Sequence, residues 1–348
     1  MELYNKYDKR ILKEQLMAED FHRITISFYR YVIIDDPYQL RDELYAEWSA
    51  MQVFGRTYLA KEGINAQMSV PEHHWEEFML RLQKRKMFEN MPIKRAVEDD
   101  GKSFYKLKLK VRHKIVADGL DDDTFDVTNV GKHLSAKEFN EALNDPNSVV
   151  VDMRNHYESE VGHFENAICP DADTFRDELP QVEELLKGKE DKKVLLYCTG
   201  GIRCEKASAY LRHKGFQDVN QLHGGIIDYV RQIKSEDLEN RFKGKNFVFD
   251  ERLGERISEE VISECHQCGK PCDTHTNCQN DDCHLLFIQC EECADKMDGC
   301  CTPECQEIAA LPIEEQRKLR KENKKEAKRN VYKSRLRPDL KQILAAKK

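Results

Sequence analysis

The sequence lacks several features that would assign it to common classes of protein. No stretch approaches the roughly 20 apolar residues that a bilayer-spanning helix needs, and Met1 to Asp8 contain no apolar core of a secretory signal. The chain has no flavin or nicotinamide fingerprint and no evident iron site of two histidines and one carboxylate. We therefore expect a soluble, cytoplasmic protein that contacts no membrane and carries neither of these organic cofactors.

Disulfide bonds are not expected either, although the chain has 13 cysteines among its 348 residues. Ten of them lie between Cys265 and Cys305, in the close pairs that metal ligands form. This usage indicates a reducing compartment rather than an exported protein. The length predicts two or three domains, and 40% hydrophobic with 34% charged residues predicts globular ones.

Charge is distributed unevenly along the chain. Residues 313–348 contain 14 Lys and Arg against 5 Asp and Glu, although the whole chain has a net charge of −8. A basic tail on an acidic body indicates a polyanion partner, or else a solubilising segment. We expect this tail to be disordered, and its candidate RNA-binding residues are Lys324, Lys325, Lys328, Arg329, Arg335 and Arg337.

One stretch, residues 194–211, carries the clearest chemical signal. Val194 to Tyr197 reads as a buried strand, and a helical pattern starts at Arg203. Cys198 lies in the turn between them, where backbone N–H groups at a helix start and the Arg203 guanidinium favour a thiolate. We therefore predict that Cys198 and Arg203 are catalytic.

The length of this turn limits what it can enclose. Four residues separate Cys198 from Arg203, one fewer than in a cysteine phosphatase, so the loop suits a persulfide or sulfenate on Cys198. The loop residues are Thr199, Gly200, Gly201 and Ile202, and we expect both glycines to let the backbone curl around an anion. Cys204 is a possible redox partner, or packs as a small hydrophobic residue. Cys169 reads as a core residue.

The N-terminal part reads as a helical leader at residues 1–20 followed by a βαββαβ ferredoxin-like domain at 21–117. Pro37 and Pro71 open its two helices, and strand material on both sides of the turn at 99–101 completes it. Basic residues recur on alternate positions of the last strand, where they form either a face for RNA or the solvated face of a sheet. They are Lys106, Lys108, Lys110, Arg112 and Lys114.

After an acidic linker at 118–130, residues 131–245 resemble the rhodanese family. The resemblance rests on Asp152-x-Arg154 after a strand, on Gly162-His-Phe-Glu-Asn-Ala167, on the Cys198 loop and on Leu222-His-Gly-Gly225. It implies an α/β domain with an open parallel sheet and the cysteine loop at the carboxyl end of a strand. We expect Asp152 and Arg154 to be a buried structural pair rather than catalytic groups.

Residues 258–307 form a cysteine-rich segment that predicts metal binding. Its pairs provide eight candidate ligands, enough for two tetrahedral zinc sites, although sulfur ligands also admit an iron–sulfur cluster. We favour structural zinc. The sequence leaves the partition of ligands open, and a cross-braced arrangement, with the first and third pairs sharing an ion, is a hypothesis. The candidates are Cys265, Cys268, Cys278, Cys283, Cys290, Cys293, Cys301 and Cys305.

Taken in order, these segments resemble one family, the bacterial rhodanese-domain tRNA uridine(34) hydroxylases. The resemblance implies a tRNA-modifying oxidoreductase that forms 5-hydroxyuridine at the wobble position with molecular oxygen as co-substrate, and Cys198 matches the family's active cysteine. Its partner would be the anticodon loop of tRNA, read as single-stranded RNA. Two alternatives are a sulfurtransferase working through a Cys198 persulfide and a non-catalytic, zinc-dependent RNA-binding protein.

Overall fold

The structure is a computed structural model that describes residues 8–121, 124–326 and 337–346. The chain divides into two compact units. The first comprises residues 1–159, 164–241 and 248–255, and the second comprises 160–163, 242–247 and 256–348. None of the helices in the described ranges is both long enough and apolar enough to span a bilayer.

The N-terminal part of the first unit is built on a five-stranded sheet. Its strand order is β4-β1-β3-β2-β5. The first four strands have the order of a ferredoxin-like fold, so the predicted fold class is confirmed here. The strands are β1 (Arg23–Tyr31), β2 (Phe54–Ala60), β3 (Gly63–Pro71), β4 (Lys94–Arg95) and β5 (Leu107–Val111), and the helices are α1 (Lys9–Met17), α2 (Pro37–Ala50) and α3 (Trp75–Lys84).

The two segments expected to complete this sheet lie at opposite edges of it. β4 pairs antiparallel with β1, and β5 pairs parallel with β2. Leucines at alternate positions of β5, Leu107 and Leu109, join the core beneath α2 and α3, with Trp48 and Phe78 at its centre. The intervening residues of the same strands must therefore point to the other face of the sheet.

The rest of the first unit holds a four-stranded parallel sheet in the order β6-β10-β9-β7, as predicted for a rhodanese-like domain. The capping box of Ser135 and Glu138 starts its first helix. Its strands are β6 (Lys132–Leu134), β7 (Ser148–Asp152), β9 (Lys193–Tyr197) and β10 (Asp218–Leu222), and its helices are α4 (Ala136–Leu143), α5 (His156–Ser159), α6 (Phe175–Leu185), α7 (Ile202–His213) and α8 (Gly225–Glu236).

A buried ion pair fixes the start of the segment after β7. Arg154 Nε and Nη2 donate to the Asp152 carboxylate at 2.8 and 2.6 Å, and both side chains are fully buried. The Tyr197 hydroxyl adds a third donor at 2.7 Å. The pair therefore has the structural position that the sequence indicated. The expectation for Cys169 is wrong, because its side chain is exposed.

The second unit contains the cysteine-rich segment and the described part of the tail. The described residues of the tail, which was expected to be disordered, include two helices, and Leu340 of the last one belongs to a buried cluster with Phe287 and Leu285. The strands are β8 (Gly162–Phe164), β11 (Phe242–Asn246), β12 (Glu255–Arg256), β13 (His275–Asn277) and β14 (Leu286–Ile288), and the helices are α9 (Glu291–Met297), α10 (Pro303–Ala310), α11 (Ile313–Glu326) and α12 (Leu340–Ala345).

Candidate active site and metal-binding cysteines

Cys198 lies directly after β9, an inner strand of the parallel sheet, and is fully buried. The loop ends at Gly201, the N-cap of α7, which has a φ of +96° that favours glycine. The Gly201 N–H donates to Cys198 Sγ at 3.1 Å. At Gly200, by contrast, an added Cβ would meet no atom within 4 Å. Only one of the two glycines is therefore required by the surrounding protein atoms.

The surroundings of Cys198 favour the thiolate form of its side chain. Burial by itself raises its pKa, because it disfavours the charged form. A hydrogen bond from the Cys204 thiol, the charge of Arg203 and the backbone N–H groups of Arg203 and Cys204 outweigh that effect and lower the pKa to about 6. A buried sulfur held as a thiolate is suited to act as a nucleophile.

Arg203 is held beside this sulfur by a buried carboxylate. Its two terminal nitrogens donate to Glu158 at 2.7 and 2.9 Å, a bidentate pair in which Glu158 is fully buried. Thr199 Oγ1 donates to the same carboxylate at 3.3 Å and so ties the loop to it. Glu158 lies 45 positions before Arg203, so the sequence did not show that it anchors this guanidinium.

The start of α8 fixes the other side of the loop. The backbone N–H groups of Ile226 and Ile227 donate to the carbonyls of Cys198 and Thr199 at 3.0 and 3.2 Å. A Cβ added to Gly225 would lie 2.5 Å from the Cys198 carbonyl oxygen, so only glycine allows this approach. The predicted loop is therefore held at both ends by backbone contacts.

Cys204 has the position of a helix residue that faces the reactive sulfur. It is fully buried on α7, and burial together with its hydrogen bond to Cys198 raises its pKa well above the ordinary value. It therefore acts as a donor to the Cys198 thiolate. Its role as a redox partner stays a prediction.

The ferredoxin-like domain contributes side chains to this site that sequence reasoning missed. Tyr29 Oη on β1 donates to Glu205 of α7 at 3.2 Å and would lie 3.0 Å from a Cβ at Gly201. Tyr31 Oη donates to the Ile202 carbonyl at 3.4 Å. No local signal identifies these tyrosines, because the Tyr29–Glu205 contact joins residues 176 positions apart.

Glu205 organises a further polar network next to the loop. It accepts from Tyr29, from Gln221 at 3.0 Å and from His133 at 2.9 Å. The hydrogen bond that His133 donates to the Glu205 carboxylate raises the pKa of His133, although partial burial opposes it. Buried Lys94 lies above the ring of Tyr29, with 4.8 Å between its Nζ and the ring centroid. Tyr29 and Tyr31 therefore contact the start of α7, and Lys94 lies over the Tyr29 ring.

The ionisation of Cys198 gives a pH prediction. The thiolate should form as the pH rises through about 6, so thiolate-dependent activity should fall below that pH and level off above pH 7. The ultraviolet absorbance of thiolate, measured as wild type minus Cys198→Ser, reports this group without requiring a reagent to reach it. A difference transition at pH 8.5 or above, the ordinary range of a thiol, would contradict the low pKa.

The structure brings the eight predicted metal ligands into two groups of four. One group joins Cys265 and Cys268 to Cys290 and Cys293, and the other joins Cys278, Cys283, Cys301 and Cys305. Within each group all sulfurs lie within 4.8 Å of one another. The partition is the cross-braced one that the sequence analysis offered as a hypothesis.

The spacing of the sulfurs tests what such a group can hold. The Cys268–Cys290 sulfurs are 3.6 Å apart, and Cys301 Sγ is 3.7 Å from those of Cys283 and Cys305. Four sulfurs at about 2.3 Å around one tetrahedral ion would be roughly 3.8 Å apart. The geometry therefore fits a single ion better than a multi-iron cluster. Cys272 and Cys300 belong to neither group.

The tail candidates for RNA binding are only partly placed. Arg337 is exposed. The structure describes the backbone of Lys324 and Lys325, which lie in α11, but not their side chains. The other three candidates lie outside the described residues: Lys328, Arg329 and Arg335. Their role stays a prediction.

Comparison with known proteins shows which protein family the chain is similar to. It matches the UPF0176 acylphosphatase-like domain over residues 23–115, the Rhodanese-like domain over 135–232 and the Rhodanase C-terminal family over 243–306. A tRNA uridine(34) hydroxylase from Leptospira interrogans is 59% identical over 341 residues, which cover 98% of this chain and 93% of the relative. The chain belongs to the tRNA uridine(34) hydroxylase family.

Other members of the tRNA uridine(34) hydroxylase family are similar over most of the chain. Relatives from Cronobacter sakazakii and Escherichia fergusonii are each 56% identical over 319 residues, which cover 91% of this chain and 91% of the relative. The resemblance seen in the sequence motifs is thereby confirmed. The family contains an acylphosphatase-like domain as well as the rhodanese-like one, in agreement with the two sheets of the first unit.

Proposed function

We propose that this protein hydroxylates carbon 5 of uridine 34 in tRNA with molecular oxygen, using Cys198 as its nucleophile. The observation that carries the proposal is the buried Cys198 thiolate, stabilised by Arg203 and by backbone N–H groups, in a chain of this family. The uridine would be presented by the anticodon loop as an unstacked base. The protein's free cysteines are in keeping with action in the cytoplasm.

The Cys198 thiolate would start the reaction, and the bonds would then form and break in the following sequence. Sulfur adds to carbon 6 of the uracil ring, and the electron pair released becomes an enolate that makes carbon 5 nucleophilic. Carbon 5 then forms a bond to one atom of O2. The O–O bond breaks when two thiols are oxidised to a disulfide, and the second oxygen leaves as water. Loss of the proton on carbon 5 expels the sulfur and regenerates the thiolate.

In this reaction one uridine, one O2 and two thiols give one 5-hydroxyuridine, one disulfide and one water. The two thiols that are oxidised are either Cys204 with another thiol or an external dithiol. The site residues have distinct tasks. Cys198 forms the covalent bond, Arg203 and the N–H groups of Gly201, Arg203 and Cys204 stabilise the thiolate, and Glu158 positions Arg203.

We also propose that each group of four cysteines holds one structural zinc ion. Four thiolates at these separations are a donor set suited to zinc, and a closed tetrahedral set leaves no position for a substrate. The eight residues would therefore support the fold of the second unit rather than take part in the hydroxylation.

Isotope labelling tests the source of the oxygen. Purified protein, unmodified tRNA and a dithiol would be incubated under ¹⁸O2 in ordinary water, and in a second reaction under ordinary O2 in H2¹⁸O. We expect ¹⁸O in 5-hydroxyuridine only from the gas, as measured by nucleoside mass spectrometry. Label derived from water, or equal yield without oxygen, would contradict the proposal.

A sulfurtransferase is the second candidate, because the Cys198 loop lies in a domain that matches the Rhodanese-like family. The same thiolate can accept a sulfane sulfur as a persulfide. Parallel reactions with a sulfur donor separate the candidates. With thiosulfate, a sulfurtransferase would yield 2-thiouridine, or thiocyanate when cyanide is added, and it would form no 5-hydroxyuridine under ¹⁸O2. A protein that binds tRNA and changes no nucleoside would instead be a non-catalytic RNA-binding protein.

A further inference from the structure

Five basic side chains of the ferredoxin-like domain lie together around β5, and we call them the basic face. In the sheet register, Arg56 on β2 is directly opposite Lys108 on β5. Like charges opposite each other on paired strands destabilise a sheet, so their presence requires an explanation. The members are Arg56, Lys106, Lys108, Lys110 and Arg112.

The basic face has no internal counter-charge. Among the residues that the structure describes, no carboxylate oxygen lies within the 4.0 Å of an ion pair from any of its nitrogens. Elsewhere on the surface, cations do have such partners: Lys214 lies 3.0 Å from Glu183, and Lys243 lies 2.6 Å from Glu260. Burial and the charges of its basic neighbours lower the pKa of Lys108. The face is thus a concentrated positive charge on a chain with net charge −8.

The basic face points away from the helices of its domain. Leu107 and Leu109 pack beneath α2 and α3, so Lys108 and Lys110, which alternate with them, point to the opposite side of the sheet. Lys108 and Arg112 are exposed. The basic side chains therefore occupy the sheet face that the two helices leave open.

An aromatic side chain and a cavity adjoin the basic face. The Arg112 guanidinium lies 5.7 Å from the centroid of the Tyr58 ring. Both residues line a cavity of about 700 Å³, together with His113 and, from the rhodanese-like domain, Arg176. Lys114 and Asp118 also line it, as an ion pair with 2.8 Å between Nζ and Oδ1. A cavity of this size, lined by an aromatic ring and two arginines, is suited to a nucleotide with its phosphate.

The same sheet face leads to the reactive cysteine. One row of directly paired residues runs across the strands from Tyr29 through Asn65 and Tyr58 to Lys110. Tyr29 contacts Glu205 at the start of α7, beside the Cys198 loop. The row crosses three strand spacings, about 14 Å. RNA bound along it would thus approach the Cys198 loop.

We propose that the basic face, with Tyr58 and the adjoining cavity, binds the phosphate backbone of the RNA substrate next to the nucleotide that reaches Cys198. This rests on the proposed function, because the substrate is taken to be tRNA. Lysine and arginine supply the sequence-independent contacts to phosphate, and an aromatic ring supplies stacking for an unpaired base. The ferredoxin-like domain is then the part of the enzyme that aligns the anticodon loop.

The test is the salt dependence of binding to a labelled anticodon stem–loop RNA. The double variant Lys108→Gln/Lys110→Gln removes two cations from the basic face. For two lost phosphate contacts, the slope of log K against log salt should become shallower by roughly 1.4 to 1.8, and affinity at low salt should fall roughly ten- to a hundredfold. The control is Lys137→Gln/Lys234→Gln, which removes the same charge from two exposed lysines of the rhodanese-like domain and should leave the slope unchanged.

Several outcomes would overturn the assignment. If the Lys108/Lys110 variant binds RNA with wild-type affinity and salt slope, these lysines do not contact the RNA phosphates. If the control variant loses as much affinity as the Lys108/Lys110 variant, the loss is an effect of net charge and not of the basic face. Displacement of the RNA by polyglutamate at equal charge concentration would instead point to an acidic protein partner. In the variant, the thiolate transition of Cys198 should stay as in wild type, with KM for RNA raised and kcat kept.

The proposed reaction can fail independently of this assignment. If wild-type protein forms no 5-hydroxyuridine, the proposed function is wrong, and the slopes still decide whether the basic face binds RNA. If it forms 5-hydroxyuridine and the variant binds normally, only the assignment of the basic face is wrong.

Discussion

Replacing Cys198 with serine is expected to remove essentially all hydroxylation, a loss of about a thousandfold or more in kcat. The serine hydroxyl has nearly the same size, but the surroundings that lower a thiol pKa to about 6 cannot ionise an alcohol at neutral pH. No nucleophile would then be available to add to carbon 6 of the uracil. Nucleoside mass spectrometry of tRNA from a deletion strain that carries the variant measures the loss directly.

Cys204→Ser is the matched control for this experiment. It changes the neighbouring buried sulfur and keeps a donor for the Cys198 thiolate. If Cys204 serves only as that donor, turnover should stay within a few-fold of wild type. If it is also the thiol that forms a disulfide, turnover with an external monothiol should fall strongly. Wild-type levels of 5-hydroxyuridine with Cys198→Ser would contradict the role of Cys198 itself.

Removing metal is expected to unfold most of the cysteine-rich part of the second unit. Its buried cluster is small, and three of the six buried members, Cys278, Cys300 and Cys301, are cysteines. So little apolar surface cannot offset the entropy of ordering the chain, whereas a structural zinc contributes about 10–16 kcal/mol of binding free energy. We expect a strong chelator to release two metal ions per chain and to raise hydrogen exchange at the amides of β13 and β14 to rates of an unfolded segment.

A pair of cysteine substitutions separates metal ligation from packing. Cys268 is exposed but belongs to a ligand group, and Cys272 is buried but belongs to none. Cys268→Ser should lower the bound metal from about two ions to about one per chain, and Cys272→Ser should leave it unchanged. If the buried cysteine were the one that metal content depends on, Cys272→Ser would lose metal and Cys268→Ser would keep it. Full metal content in Cys268→Ser would show that the first group does not bind an ion.

Local patterns in the sequence were sufficient to locate the reactive loop. A short apolar strand, a cysteine, two glycines and the start of a helix occupy consecutive positions, and the contact of the Gly201 N–H with Cys198 Sγ arises within that segment. For the same reason the close cysteine pairs identified the two groups of four sulfurs as candidate metal ligands. Local reasoning misjudged Cys169, because the exposure of a side chain depends on what packs over it in the folded chain.

Contacts between distant segments could not be predicted in this way. The sequence could not show that Glu158 anchors Arg203 or that Tyr29 reaches the start of α7, since these pairs are 45 and 176 residues apart. The positions of Lys94 over Tyr29 and of the residues of the basic face likewise follow from the register of the sheet, and the sequence alone could not predict them. The alternation of β5 was compatible with RNA binding and with an ordinary solvated face, and the missing counter-charges now favour RNA.

The sequence by itself indicated the fold class, the Cys198 loop and the eight cysteines that form the two groups, because each depends on the chemistry and spacing of neighbouring residues. The tertiary structure decided how those ligands divide into two groups, which carboxylate holds Arg203 and which domain lies against the Cys198 loop. These features depend on side chains brought together across long stretches of chain, and residue spacing contains no information about such distances until the strands have paired.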